Sequence, residues 1–267
     1  MKIGISSWAF RWAVGTKDFT PTHPLTHHDL LVRASELGAQ VVQICDNMPL
    51  DDLDDGSLVR LRNHAALLGL TLEVGTASAR AEHLARFVEI ARLLGARILR
   101  VVEDKREWNP SLDDIAGSLR TVLPACREHG VTIALENHTT LGVRDLAQIE
   151  RAVDDPHVGI CLDTANSVAR MEGWREVLDV LAPHTVSLHL KDVTAQKRGV
   201  GFYISGAQLG QGVVDCPAVV RRVQANGRDA NVLLEFWMEF AGDEQTTLSQ
   251  EEQWIGSGLA YLRQIVR

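Results

Sequence analysis

Four stretches of this chain share one design, and together they restrict the fold more than any other feature. Thr185-Val-Ser-Leu-His-Leu-Lys-Asp192 reads with a period of two: Val186, Leu188 and Leu190 fall on one face, Thr185, Ser187, His189 and Lys191 on the other. That alternation marks a β-strand with two different surroundings. Residues 132–136 set Ile133 and Leu135 against Thr132, Ala134 and Glu136. Residues 159–163 set Ile160 and Leu162 against Gly159, Cys161 and Asp163, and residues 231–235 set Val232 and Leu234 against Asn231, Leu233 and Glu235. In each, the small-or-polar face ends in a side chain able to bind a metal: Glu136, Asp163, His189, Glu235. Four such strands with helical segments between them read as neighbouring staves pointing at one centre.

The rest of the chain repeats the unit. Strands are expected near residues 2–8, 41–45, 71–75, 98–103, 132–136, 157–163, 185–192 and 231–236, each followed by a helix. Thr26, Ser111 with Asp114, and Asp215 are placed to cap helix starts, and Gly38, Gly69, Gly95 and Gly130 to end helices. Residues 193–214, with five glycines, read as a long loop. Eight alternating units predict an α/β protein with a parallel sheet, closed as a (β/α)8 TIM barrel whose reactive residues sit at strand C-termini. An open doubly wound sheet would not gather four strand tips at one point, and the Gly-x-Gly-x-x-Gly turn after strand one is absent. A chain of 267 residues suits one such barrel, so residues 1–267 read as a single domain.

Two glutamates, an aspartate and a histidine facing one barrel mouth would repel one another unless a cation sat among them. Taken singly, a strand-end Glu is more often a solvated loop residue and a lone His a hydrogen-bonded core residue; the set is harder to explain that way. Three carboxylates and an imidazole suit one divalent ion, Mn²⁺ first, with Mg²⁺, Co²⁺ or Zn²⁺ as alternatives. Glu73 and Arg100, inward on adjacent strands, are expected to pair beneath the site. Lys191, level with the site, could hold an oxyanion or balance its acidity. Arg198, in the glycine-rich loop, is a candidate anion contact, and Trp8 and Trp12 could wall a sugar's C–H face, although Trp8 could equally plug the barrel mouth.

A net charge of −8 offers no basic surface for nucleic acid, and no apolar run reaches membrane length. Cys45, Cys126, Cys161 and Cys216 show no paired spacing, and the N-terminus has no signal-peptide pattern, which together read as a reduced, cytoplasmic protein. A homo-oligomer is compatible with the sequence but not read from it.

Leu-Glu-Asn-His (135–138), Leu-Asp-Thr-Ala-Asn (162–166), Leu-His-Leu-Lys-Asp (188–192), Leu-Gly-Gln-Gly-x-x-Asp (209–215) and Leu-Glu-Phe (234–236) resemble the sugar phosphate isomerase/epimerase superfamily of xylose isomerase-like TIM barrels. The resemblance implies a single divalent metal on Glu136, Asp163, His189 and Glu235, with Glu136 and Glu235 also acting as an acid–base pair. Asn137, His138 and Asn166, which stand in these motifs, are expected as substrate contacts together with Trp8, Trp12, Lys191 and Arg198. Many members carry His where this chain has Asn166. Strand three here ends in Gly75-Thr76-Ala77 and strand four in Glu103-Asp104, so the extra zinc ions of related DNA-repair endonucleases are not expected. Residues 8–12 and 42–50 resemble a subset that includes 3-oxo-isoapionate decarboxylases. The leading expectation is therefore an isomerase or epimerase acting on a ketose through an enediolate. The alternative is a decarboxylase or dehydratase, a lyase, acting on a keto-sugar acid.

Overall fold

A computed structural model describes residues 1–103 and 108–266; Asp104 lies outside them. The elements in chain order are β1 (Ile3–Ser6), α1 (Arg11–Val14), α2 (His27–Glu36), β2 (Val41–Ile44), α3 (Asp55–Leu67), β3 (Thr71–Thr76), α4 (Ala81–Leu94), β4 (Ile98–Val101) and α5 (Leu112–His129). They continue as β5 (Thr132–Glu136), α6 (Val143–Val153), β6 (Val158–Asp163), α7 (Trp174–Leu181), β7 (Thr185–Leu190), β8 (Asp192–Arg198), β9 (Gly201–Ala207), α8 (Cys216–Gln224), β10 (Asn231–Leu234) and α9 (Glu244–Ile265). Eight strands close in the order β1-β10-β7-β6-β5-β4-β3-β2, every neighbour parallel, and helices surround them. This is the expected TIM barrel. No helix among the described residues is long and apolar enough to cross a membrane.

The local signals act as the sequence suggests. Thr26 and Ser111 accept hydrogen bonds from Asp29 N and Asp114 N while those aspartates bond back to the caps. Gly95 and Gly130 end α4 and α5 in the left-handed conformation. The outward strand residues, Ile5, Val74, Leu99, Ile133, Leu162 and Leu188 among them, are buried against the helices as one continuous core. Inside the barrel Leu233 fills the space left by Gly4, where a Cβ would stand 2.5 Å from Leu233 Cδ2.

Three expectations need correction. Residues 193–214 are not all loop: β8 and β9 form an antiparallel hairpin turning at residues 199–200. A register irregularity between β6 and β7 takes Thr185 off the inner face, and its hydroxyl donates to Leu181 O at 2.9 Å. Glu73 and Arg100 do not pair, because the stagger of the barrel aligns Arg100 with Gly75 and lifts it a layer above Glu73. Glu73 instead accepts from Gln43 Nε2 (2.9 Å), Asn231 Nδ2 (2.6 Å) and Ser187 Oγ (3.3 Å), and burial raises its pKa despite those donors.

The hairpin folds back onto the barrel mouth so closely that a Cβ on Gly206 would lie 1.8 Å from Trp237 O. Backbone cannot yield as a flexible side chain can. Gly206→Ala should therefore destabilise the protein by about 1–3 kcal/mol or more, read as a lower urea midpoint at unchanged slope; a midpoint equal to the parent's would show that the hairpin yields instead.

Candidate metal centre

Glu136, Asp163, His189 and Glu235 do converge at the barrel mouth. His189 Nδ1 is the hub, 3.2 Å from Glu235 Oε1, 3.6 Å from Glu136 Oε1 and 3.9 Å from Asp163 Oδ2. All four side chains are buried. Asp163 Oδ1 is committed to the backbone amides of Ala165 and Asn166, each at 2.8 Å, which turns Oδ2 inward. Gln43 Oε1 accepts from His189 Nε2 at 2.8 Å, while the Gln43 amide donates to Glu73. Glu73 thereby fixes which way Gln43 points, Gln43 takes the proton on Nε2, and Nδ1 faces the carboxylates; burial opposes a charge on the ring, but Cys161, Glu235 and Glu136 outweigh it and raise its pKa.

That arrangement leaves three buried atoms without a hydrogen bond: Asp163 Oδ2, His189 Nδ1 and Glu235 Oε1. Lys191 Nζ approaches Asp163 Oδ2 to 2.7 Å, but outside hydrogen-bonding direction. Buried polar atoms are rarely left unpaired. Two oxygens and an imidazole nitrogen, drawn from residues whose donor atoms lie within 4.8 Å of one another, fit a divalent cation. The structure adds one neighbour the sequence reading passed over: Cys161, grouped with Glu136 and His189, whose thiol burial pushes up to about 11.

Two cations share the site. Arg100, from β4, donates through Nε to Glu136 Oε2 and through Nη1 to Asp46 at 2.8 Å. Asn166 Nδ2 occupies Glu136 Oε1 at 2.7 Å, so both oxygens of Glu136 are engaged. Burial alone would raise Glu136; the Arg100 guanidinium overrides it and holds the carboxyl well below the usual range. Lys191 Nζ sits 2.7 Å from Glu235 Oε2 as well, and burial, which opposes its charge, is outweighed by Asp163 and Glu235, so its pKa rises. Asp163 is raised, by burial and then by Glu136 and Glu235 against Lys191.

Above the ligands opens a cavity of about 640 Å³, lined by Trp8, His138, Asn166, Lys191, Glu235 and Trp237 among others. Trp8, whose Nε1 donates to Asp46 at 3.4 Å, forms part of its wall. Burial lowers His138. Three expected contacts fall elsewhere. Asn137 is wholly buried and brackets Asp163, donating to its carbonyl and accepting from its amide, both at 2.7 Å. Trp12 is buried between Phe19 and Phe240 with Nε1 on Met238 O. Arg198 is on the exposed hairpin, stacked over Tyr203. Residues the sequence reading missed include Arg100 as the partner of Glu136, Asp46 in the acidic loop, Trp237 two residues past Glu235, and Arg11.

Removing the Arg100 charge would strand Glu136 in the interior. Arg100→Met should cost about 3–5 kcal/mol by chemical denaturation, and a parental stability would mean that solvent reaches the pair. Glu251 gives a second check. It accepts from Trp12 N (2.6 Å) and Ala13 N (3.0 Å), and burial pushes it from 4.5 up to about 7 against those donors. A raised carboxyl favours folding while protonated, so its contribution is present below about pH 4.5 and lost as pH rises through about 7. Roughly 3 kcal/mol is at stake over that window. Urea unfolding at pH 5 and pH 8 should show a smaller loss in Glu251→Gln than in the parent, and equal losses would contradict the assignment.

The family pattern described as "Xylose isomerase-like TIM barrel" matches residues 31–265. The chain is 34% identical over 264 residues to a 3-oxo-isoapionate decarboxylase of Pectobacterium atrosepticum, covering 98% of this chain and 95% of that one. Among solved structures, D-psicose 3-epimerase from Clostridium cellulolyticum H10 with D-tagatose superposes with a TM-score of 0.76 at 13% identity, all of both chains being covered. A xylose isomerase-like TIM barrel protein from Mycobacterium smegmatis in complex with magnesium gives 0.72 at 17% identity, covering 97% of each.

Proposed function

Since the chain belongs to the xylose isomerase-like TIM barrel family, we propose that it is a divalent-metal-dependent lyase that removes CO₂ from a keto-sugar acid. One observation carries the choice over an isomerase or epimerase: both carboxylate oxygens of Glu136 are taken, by Arg100 and Asn166. Moving a proton off one carbon and onto another, or onto the opposite face, calls for two groups free to exchange it. Of the two glutamates, only Glu235 keeps an oxygen without a hydrogen bond, Oε1. Decarboxylation needs a single proton delivery. The decarboxylase relative, which matches along nearly the whole chain, supports the same reading.

Asp163, His189 and Glu235 would hold the ion, with Glu136 beside them. When bound, the ion would polarise the keto oxygen of the substrate and offset the negative charge that gathers there. The remaining work belongs to the protein. The C–COO⁻ bond breaks, its electron pair moves into the adjacent carbonyl to give an enolate, and CO₂ departs. Lys191, kept positive by Asp163 and Glu235, faces the cavity and stabilises that charge. Glu235, which His189 and Lys191 keep ionised against burial, takes a proton from solvent and passes it to the enolate carbon to give C–H, returning to the carboxylate. Asn166 bridges the two halves of the site, donating to Glu136 and accepting from Lys191 Nζ at 3.2 Å. Trp8 and Trp237 line the sugar's path and limit water.

Metal-supplemented protein incubated with 3-keto-sugar acids in D₂O should release CO₂ and place one deuterium in the product. Solvent exchange into a ketose without CO₂ loss would replace this reading with the isomerase one. Glu235→Gln should cost about 10²-fold or more in turnover per bound metal, the usual scale for proton transfer. Glu136→Gln should be far milder per folded, metal-loaded molecule. Equal losses in both variants would restore a two-glutamate proton exchange.

A further inference from the structure

Arg11 lines the same cavity and has no part in the chemistry above. The other two strong cations on its lining, Arg100 and Lys191, are each held by two carboxylates. Arg11 makes no ion pair among the described residues, although its side chain is exposed and free to find one.

It is nevertheless held in place. Its guanidinium carbon stands 5.2 Å from the centre of the Trp12 ring. That ring is fixed by Met238 O, 3.0 Å from Nε1, and by Phe19 and Phe240 at 5.8 and 5.4 Å. The backbone of the same turn is tied down by the buried Glu251 carboxylate, which accepts from Trp12 N and Ala13 N. Stacking on an aromatic face leaves the in-plane N–H donors of a guanidinium available, which is the geometry that takes an oxyanion two-pronged. A side chain already ordered loses less freedom when the ligand arrives.

The charges of the cavity ask for the same thing. Glu136, Asp163, Glu235 and Asp46 set against Arg100 and Lys191 leave two negative charges, which one divalent ion cancels. Arg11 is then the strong cation of the lining that, among the described residues, no carboxylate of the cavity pairs; the Glu251 carboxyl beneath its turn feels its charge but bonds the backbone amides of Trp12 and Ala13 instead. We propose that Arg11 is the anchor for the substrate's carboxylate, and that it selects sugar acids over neutral ketoses at this site. The proposal rests on the keto-acid reading for its choice of anion. It also separates two jobs: the keto oxygen would face the metal-ligand side chains, while the carboxylate is held away from them with its C–C bond out of the carbonyl plane, as loss of CO₂ requires. Because the anchor stabilises the carboxylate before it leaves, its energy is ground-state binding.

The test uses the full chain loaded with Mn²⁺ and three probes titrated calorimetrically: ribonate and ribulose, of equal length, and ribulose 5-phosphate. The parent should bind ribonate about tenfold or more tighter than ribulose, as expected for a charge-assisted two-pronged contact. Arg11→Met should abolish that preference with ribulose affinity unchanged, and Arg11→Lys should restore part of it; Arg11 is exposed, so both should melt with the parent. Unaltered ribonate affinity in Arg11→Met overturns the proposal. So does a loss confined to ribulose 5-phosphate, which would make Arg11 a phosphate contact. These titrations need no turnover, so the anchor can stand even if CO₂ release is never seen. With a turned-over keto acid, Arg11→Met should raise KM with kcat unchanged or slightly higher; a fall in kcat at constant KM also counts against it.

Discussion

Like charges brought together in a poor dielectric repel strongly, and at this barrel mouth the fold forces Glu136, Asp163 and Glu235 around a single imidazole nitrogen. Everything nearby can be understood as an answer to that repulsion. Arg100 reaches up from β4 to neutralise Glu136, and Lys191 divides itself between Asp163 and Glu235. Gln43 takes the His189 ring proton on the far side, backed by Glu73 from the layer below. These partners reduce the repulsion without removing it, because three ligand-type atoms remain unbonded.

The same partners distinguish the two glutamates, which look equivalent from their positions at strand tips. Glu136 is doubly bonded into a buried ion pair, and Glu235 keeps one oxygen open. An enzyme exchanging protons between two faces of a carbon would have little use for that inequality. One that needs a single proton after CO₂ departs can lock one glutamate as framework and leave the other to react.

Period-two alternation made the barrel legible from sequence, because each strand meets two distinct environments and advertises the difference. It also placed the four tip residues correctly, since an inward register at a strand's end leaves a side chain few alternatives. What alternation does not carry is stagger. Glu73 and Arg100 are both inward on adjacent strands, yet the tilt of the barrel separates them by a layer. Loops were less legible for a related reason. Trp12 and Arg11 are neighbours in sequence, but the turn at α1 buries the first ring and leaves the guanidinium on the cavity. Asn137 is expected beside the substrate from the Leu-Glu-Asn-His motif, whereas its side-chain amide pairs with the backbone of the next strand.

One residue has a role larger than its place in the sequence suggests. Asp192 follows Lys191 and takes backbone N–H groups from Val193, Gly210, Gly212 and Val214, all within 3.0 Å. Its carboxylate staples the point where the chain leaves the barrel to the point where it returns. Everything between those points, including the exposed strands bearing Phe202 and Tyr203, is a closed excursion whose ends are already joined. The cost of altering such a loop grows only slowly with its length. The hairpin is thus a region that can be lengthened, shortened or reshaped beside the mouth while Lys191 stays where it is.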